Sequence, residues 1–222
     1  MPRELRIKGD DIQYHLILRC NNKEPLIKER ADFEMLLYLL EEVKCKFETR
    51  IYNYEFLNAH IHLMLSTHQN FFVDEIMHSF CFKYAKDYNK RHKRNGHFWA
   101  HRYRSRIILN DQHGLGCLRY QHRNALSAGL VAKPEDWPWS GYRFYVYGEP
   151  NSLLDYHPSF LALGESEMQR RISYQKLVET PIPADKWKGL LEKGNGLMTQ
   201  RFLIMLKQVE RLKNRHLVPG TI

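Results

Sequence analysis

NYEFLNAHIHLMLSTH, residues 53–68, decides the reading of this chain, because two histidines, His60 and His62, stand one residue apart in an otherwise apolar run. The flanking stretches RIYNYEFL (50–57) and HIHLMLS (60–66) are rich in aromatic and aliphatic residues and are separated by Asn58-Ala59. That pattern predicts an antiparallel hairpin. On a strand, residues i and i+2 share a face, so both imidazoles project side by side while Ile61 points to the other side. Two same-face imidazoles are half of a metal site. A lone strand histidine is more often a packed residue, but nothing apolar is gained by setting two polar rings beside Leu63, Met64 and Leu65.

The elements around the hairpin follow from periodicity. DIQYHLILRC (11–20) alternates apolar and polar residues and reads as a strand. Phe33, Leu36, Leu37, Leu40, Val43 and Phe47 have helical spacing and predict a helix over 28–47. A second helix is expected over 73–92, with Asp74 near its start and basic residues at its end, as the helix dipole prefers. HRYRSRIIL (101–109) reads as a strand, and residues 111–131 as a helix beginning at an Asp cap. The order β-α-β-β-α-β matches a ferredoxin-like α+β sheet with packed helices, followed by a further helix.

Composition narrows the function classes. Thirty-four Lys and Arg against 25 Asp and Glu give a net charge of +9, which favours a polyanionic partner, nucleic acid first. Cys20, Cys45, Cys81 and Cys117 lie far apart with no C-x-x-C pair, so neither a zinc knuckle nor a disulfide framework is expected. No apolar stretch reaches the roughly 20 residues that span a bilayer. The start MPRELRIKGDD lacks a signal peptide's apolar segment, so a cytoplasmic location is expected.

The helix after the last strand supplies what a paired-histidine site lacks. Tyr120 and Asn124 are spaced i, i+4 on one helix face, with His122 turned away from them. If that face packs beside the hairpin, Asn124 offers an oxygen ligand and Tyr120 holds a phenol near the metal. Ordinary packing is the competing reading for a tyrosine in a chain that has 13 of them.

These residues resemble the single-tyrosine HUH transposases, and more closely the REP-associated tyrosine transposases. The likeness covers roughly residues 10–148. It rests on YHLILRCNNKEPLI as the first strand and loop, NAHIHLMLS as the paired-histidine strand, HFWAHRYRSRIIL as the W-x-x-R-[YF]-x-S stretch, and LRYQHRNALSAGLVAKPEDWPWSGYRFY as the nucleophile helix and W-S-[SG]-Y turn. The chain departs at Ala125, where the family usually has proline, and in smaller ways at His101 and Gly141. The resemblance implies a catalytic domain over 1–148, and the helical spacing of SLLDYHPSFLALGESEMQRRISYQKLVE (152–179) and GLMTQRFLIMLKQVERLKNRH (196–216) predicts a helical C-terminal extension over 149–222. The resemblance also implies that Tyr120 attacks a phosphodiester in single-stranded DNA, leaving a 5′-phosphotyrosine and a free 3′-hydroxyl. A divalent cation, Mg²⁺ or Mn²⁺, held by His60, His62 and Asn124 would polarise the scissile phosphate.

The implied substrate is single-stranded DNA with hairpin-forming, REP-like repeats, bound by a monomer or homodimer. The positive charge then has a destination. Arg91, Lys93 and Arg94 close the second helix, and Arg102, Arg104 and Arg106 alternate along the next strand and share a face. With Arg123 beside Asn124 they form the expected DNA contacts, and Phe98, Trp99 and Tyr103 are possible stacking surfaces for unpaired bases. A solvated strand edge guarded by charge is the alternative reading of that arginine row. Trp137, Trp139 and Tyr142 are expected to anchor the turn after the nucleophile helix. The competing functions are a catalytically silent hairpin-binding protein and a metal phosphodiesterase that uses activated water.

Overall fold

The structure is a computed structural model that describes residues 9–68 and 71–181, all within one compact unit over residues 8–181. Four strands, β1 (Gln13–Arg19), β2 (Arg50–Phe56), β3 (His60–Ser66) and β4 (Arg104–Ile107), pair antiparallel in the order β2-β3-β1-β4. Helix α1 (Arg30–Phe47) joins β1 to β2, and α2 (Val73–Arg91) joins β3 to β4. The α+β, ferredoxin-like sheet read from periodicity is therefore present.

Leu16, Leu18, Ile61, Leu63 and Leu65 alternate onto one sheet face and are at most 2% exposed. The β1-α1-β2 crossover puts α1 over that face, and α2 packs beside α1. Arg91 and His92, at the end of α2, meet the buried Asp32 carboxylate of α1 at 2.8 Å each. Burial opposes the charge on Asp32, yet these partners and the Lys28 and Glu29 amides hold its carboxyl below the usual range.

The opposite face carries the histidines and a second core. Here α3 (Asp111–His122), α4 (Asn124–Ser127), α5 (Tyr142–Tyr147), α6 (Pro158–Leu161) and α7 (Glu167–Glu179) follow β4. Leu118 of α3, Tyr145 of α5, Phe160 of α6 and Tyr174 of α7 join Met64 of β3 in one buried cluster. Residues after Gly148 thus share a core with α3.

A buried chain of hydrogen bonds runs through that cluster. Asn53 accepts from His122 Nε2 at 2.9 Å, because its Oδ1 can only accept. Nδ1 of His122 is then left to accept from the Tyr174 hydroxyl at 2.7 Å. Asn53 Nδ2 donates to Gln121 at 2.8 Å. Burial holds His122 neutral, pushed down to about 3. The bonds tie α7 through α3 to β2, and a buried polar group that lost its partner here would cost about 1–3 kcal/mol.

Three elements differ from their periodicity. The strand expected over 101–109 is only Arg104–Ile107, so Arg102 precedes it. The helix expected over 111–131 breaks at Arg123 (φ −95°, ψ −2°), whose N–H is shared among carbonyls of the last turn of α3. It ends at Ser127, two residues before Gly129 turns left-handed at φ +69°. The apolar spacing over 152–179 comes only partly from helix. Leu153 and Leu154 are buried from a loop, and Pro158 starts the short α6. The helix expected over 196–216 lies outside the described residues. The four cysteines are free, and Cys20 and Cys117 are buried. No helix among the described residues is long and apolar enough to cross a membrane.

Candidate active site

The pleat of β3 puts His60 and His62 on the face covered by α3 and α4, with ring centroids 5.1 Å apart. The register then decides what surrounds them. Arg19 of β1 lies opposite His60, Ile17 opposite His62 and His15 opposite Met64. Glu55 of β2 is the cross-strand partner of His62, and Arg106 of β4 that of His15.

The helix break brings the remaining groups down onto this face. Asn124 Nδ2 lies 2.8 Å from His62 Nε2, and the same amide bonds His60 and the Tyr120 phenol. The Tyr120 ring stands edge-on to His62 at 5.3 Å and to His15 at 6.1 Å. The i, i+4 spacing of Tyr120 and Asn124 thus survives the break at Arg123, while His122 faces the other way.

Burial, reinforced by the Arg19 charge, lowers the pKa of His60 below its ordinary value, and burial with the neighbouring histidines lowers that of His62 well below. Both imidazoles are therefore neutral near pH 7 and keep a lone pair for a cation. Two neutral nitrogens converge there with the Asn124 amide, which turns its Nδ2 to His62; turned over, its Oδ1 would complete a donor set that fits a divalent metal with open positions. Burial raises the pKa of the Tyr120 phenol, and Arg19, Asn124 and Arg106 oppose that rise. Among the described residues, the three-residue His/Cys/Asp/Glu group with metal-like spacing is elsewhere, at exposed Asp10 and Asp11 with His68.

Glu55 is a residue that sequence periodicity does not single out. It is 1% exposed, its carboxyl meets the Ser140 hydroxyl and the Ala125 amide, and Oε2 has no partner. A proline at 125 would have no N–H to offer, so the departure at Ala125 and this carboxyl belong together. Burial pushes Glu55 up to about 8. Because the folded value is raised, stability from this group is full below the unfolded value of about 4.5 and is lost as pH rises through 8. Glu55→Gln should melt with the parent at pH 4 and progressively above it between pH 5 and 8. Parallel melting curves across that range would contradict the assignment.

The basic residues divide by position. Arg104 and Arg106 share the histidine face of the sheet. Arg102 and Arg104 line an open groove of about 600 Å³ with Ile17, Arg19, Asn21, Asn22 and Lys23. Arg106 is half-buried, near enough to His15 and Tyr120 to act on both. Exposed Lys93 follows α2 in a left-handed conformation, and Arg94 bonds the His97 carbonyl at 3.0 Å. Arg91 is engaged by Asp32 and Asp87, and Arg123 donates to the Val178 and Glu179 carbonyls at the end of α7. These two arginines hold the fold.

The aromatic residues expected as stacking surfaces are mostly interior. Phe98 is 1% exposed and packs on Tyr84 and Tyr88, Tyr103 is buried, and Trp99 donates to the Cys81 carbonyl. The gain from burying a large ring outweighs keeping it free for a base. Trp137 and Trp139 do anchor the turn, through the Phe56 carbonyl at 2.9 Å and a stack on Phe33 at 4.6 Å.

Residues 8–115 match the family model described as "Transposase IS200 like"; the match ends before Tyr120. The structure is similar to that of the REP-associated tyrosine transposase bound to a REP hairpin, with a TM-score of 0.57 at 17% identity, over 70% of this chain and 95% of that one. It is also similar to a transposase structure from Deinococcus radiodurans, with a TM-score of 0.39 at 13% identity, over 51% of this chain and 89% of that one. The first likeness shows a shared fold. A comparison with curated proteins finds no match.

Proposed function

We propose that this chain, whose residues 8–115 match the model of the IS200-like transposases, is an enzyme that nicks and rejoins DNA, cutting single-stranded DNA beside hairpin-forming repeats through a 5′-phosphotyrosine. The observation that carries the proposal is the convergence of Tyr120, His60, His62 and Asn124 at one point of the sheet, from strands and helices far apart in sequence. A protein that only bound a hairpin would have no use for a phenol beside two neutral imidazoles and an amide. The hairpin itself is suggested by the structural relative, which holds one.

In the proposed reaction the Tyr120 oxygen bonds to the scissile phosphorus and the bond to the 3′-oxygen breaks. The phenol proton leaves to solvent, and the departing 3′-oxygen gains one to become a hydroxyl. Reversal by a 3′-hydroxyl of another strand rejoins DNA and restores the phenol, so no nucleotide cofactor or water is consumed. A divalent cation, Mg²⁺ or Mn²⁺, would be held by His60, His62 and Asn124 and would polarise the phosphate. The Arg19 and Arg106 charges both favour the charged form of the phenol.

The groove beside the site suits an unpaired strand. Arg19, Lys23, Arg102 and Arg104 supply cations for successive phosphates, and Asn21 and Asn22 supply amides for base edges. Cleavage is therefore expected in a single-stranded segment flanking a hairpin and not in perfect duplex. Equal cutting of one labelled oligonucleotide in both forms would contradict this reading. Binding should also fall steeply with salt, as each phosphate contact releases counterions.

A further inference from the structure

His15 lies outside the donor set, yet it touches the set from behind. It is 1% exposed, on β1, and its Nε2 lies 3.0 Å from Nδ1 of His62, with the rings stacked at 5.3 Å. The other nitrogen of His62, Nε2, faces the Asn124 amide N–H at 2.8 Å.

A neutral imidazole carries one proton, so these two contacts are not independent. An amide N–H directed at Nε2 requires a lone pair there. The His62 proton must then sit on Nδ1, where its acceptor is His15 Nε2. His15 in turn carries its own proton on Nδ1. The opposite arrangement, with His15 donating to Nδ1, would put a proton on His62 Nε2, where it would oppose the Asn124 N–H and block a cation.

We propose that His15 is a positioning residue that locks His62 in its Nδ1–H tautomer, keeping on Nε2 a lone pair that accepts from the Asn124 N–H and that a divalent cation takes over when the amide turns its oxygen inward. This deepens the metal-site reading and rests on it for the role of the lone pair. The interaction is of the kind by which an outer partner orients a ligating histidine, where removal commonly costs about 10–100-fold in metal affinity. The sheet register supplies the rigidity, since His15 is two positions from Ile17, the residue directly opposite His62.

The test has two arms. In the first, long-range ¹⁵N–¹H spectra of the imidazoles, taken on the metal-free full-length protein, read the tautomer of His62 directly. The expected pattern is a protonated Nδ1 and an unprotonated Nε2, and the reverse pattern would overturn the proposal. In the second arm, electron paramagnetic resonance titration with Mn²⁺ alone measures binding in the parent, His15→Phe and His15→Gln. Phe fills the space without an acceptor, whereas Gln can offer its amide oxygen to the Nδ1–H. Half-saturation should rise about 10–100-fold in His15→Phe and return toward the parent in His15→Gln. Unchanged Mn²⁺ binding in His15→Phe, or equal losses in both variants, would mean that His15 only fills the core. Should His15→Phe fail to fold, the parent spectrum and the His15→Gln titration still decide. If the tautomer is as proposed but His62→Ala binds Mn²⁺ like the parent, the metal-site reading fails and the lock remains.

Discussion

Tyr120→Phe should leave a folded protein that binds its hairpin substrate, cuts nothing and forms no protein–DNA adduct. The change deletes one oxygen and keeps the ring against His15 and His62. Loss of the hydroxyl's contact with Asn124 should cost only about 1 kcal/mol, a small part of a domain's stability. The chemistry has no substitute nucleophile at the same point, so the rate should drop by more than roughly 1000-fold. A denaturing gel separates the cases. The parent should carry the 5′ end of the downstream fragment on Tyr120. An adduct that persisted in Tyr120→Phe, or one mapped to Tyr84 or Tyr103, would sink the assignment. Tyr84 is fully buried and bonded to the Asp32 carbonyl, on the other side of the sheet from the histidines, where no DNA strand can reach it. Cleavage with no adduct at any time would favour an activated-water phosphodiesterase.

His60→Ala and His62→Ala should each abolish cleavage in Mg²⁺ or Mn²⁺ while hairpin binding stays within a few fold. In the proposed reaction the histidines would serve the scissile phosphate, whereas Arg19, Lys23, Arg102 and Arg104 line a groove that can hold the strand without them. His60 gives the cleaner experiment because it is only half-buried. His62 is 1% exposed, and its removal leaves a cavity and unpairs His15, so its melting temperature must be measured alongside. Asn124→Ala should be milder, since water can replace one neutral oxygen ligand. Normal cutting by both histidine variants, after chelation and return of Mg²⁺, would make the paired histidines structural.

Much of the fold was legible because its signals are local. Alternation in 11–20 and 50–66 and the 3.6-residue spacing in 28–47 and 73–92 each report one buried face of one element, and the strands and helices lie there. The same logic placed His60 beside His62 and Tyr120 in line with Asn124. Charge was less informative. Arg91 and Arg123 look like the other arginines of the sequence, but an acidic partner in one case and a helix end in the other engage them. Phe98 and Tyr103 lie in a basic stretch and are nevertheless interior.

By itself, then, the sequence determined the order of elements, the shared face of the two histidines and the helical pairing of phenol and amide, because each depends on residues a few positions apart. Only the tertiary structure decided that His15, Arg19 and Glu55 belong to the same site. They come from β1 and β2, and their approach to β3 depends on strand register, in which a slip of one residue would turn every side chain to the other face. It also decided that Tyr174, far along the chain, braces α3 through His122. Contacts of that kind are set by the packing of whole layers, which no local period encodes.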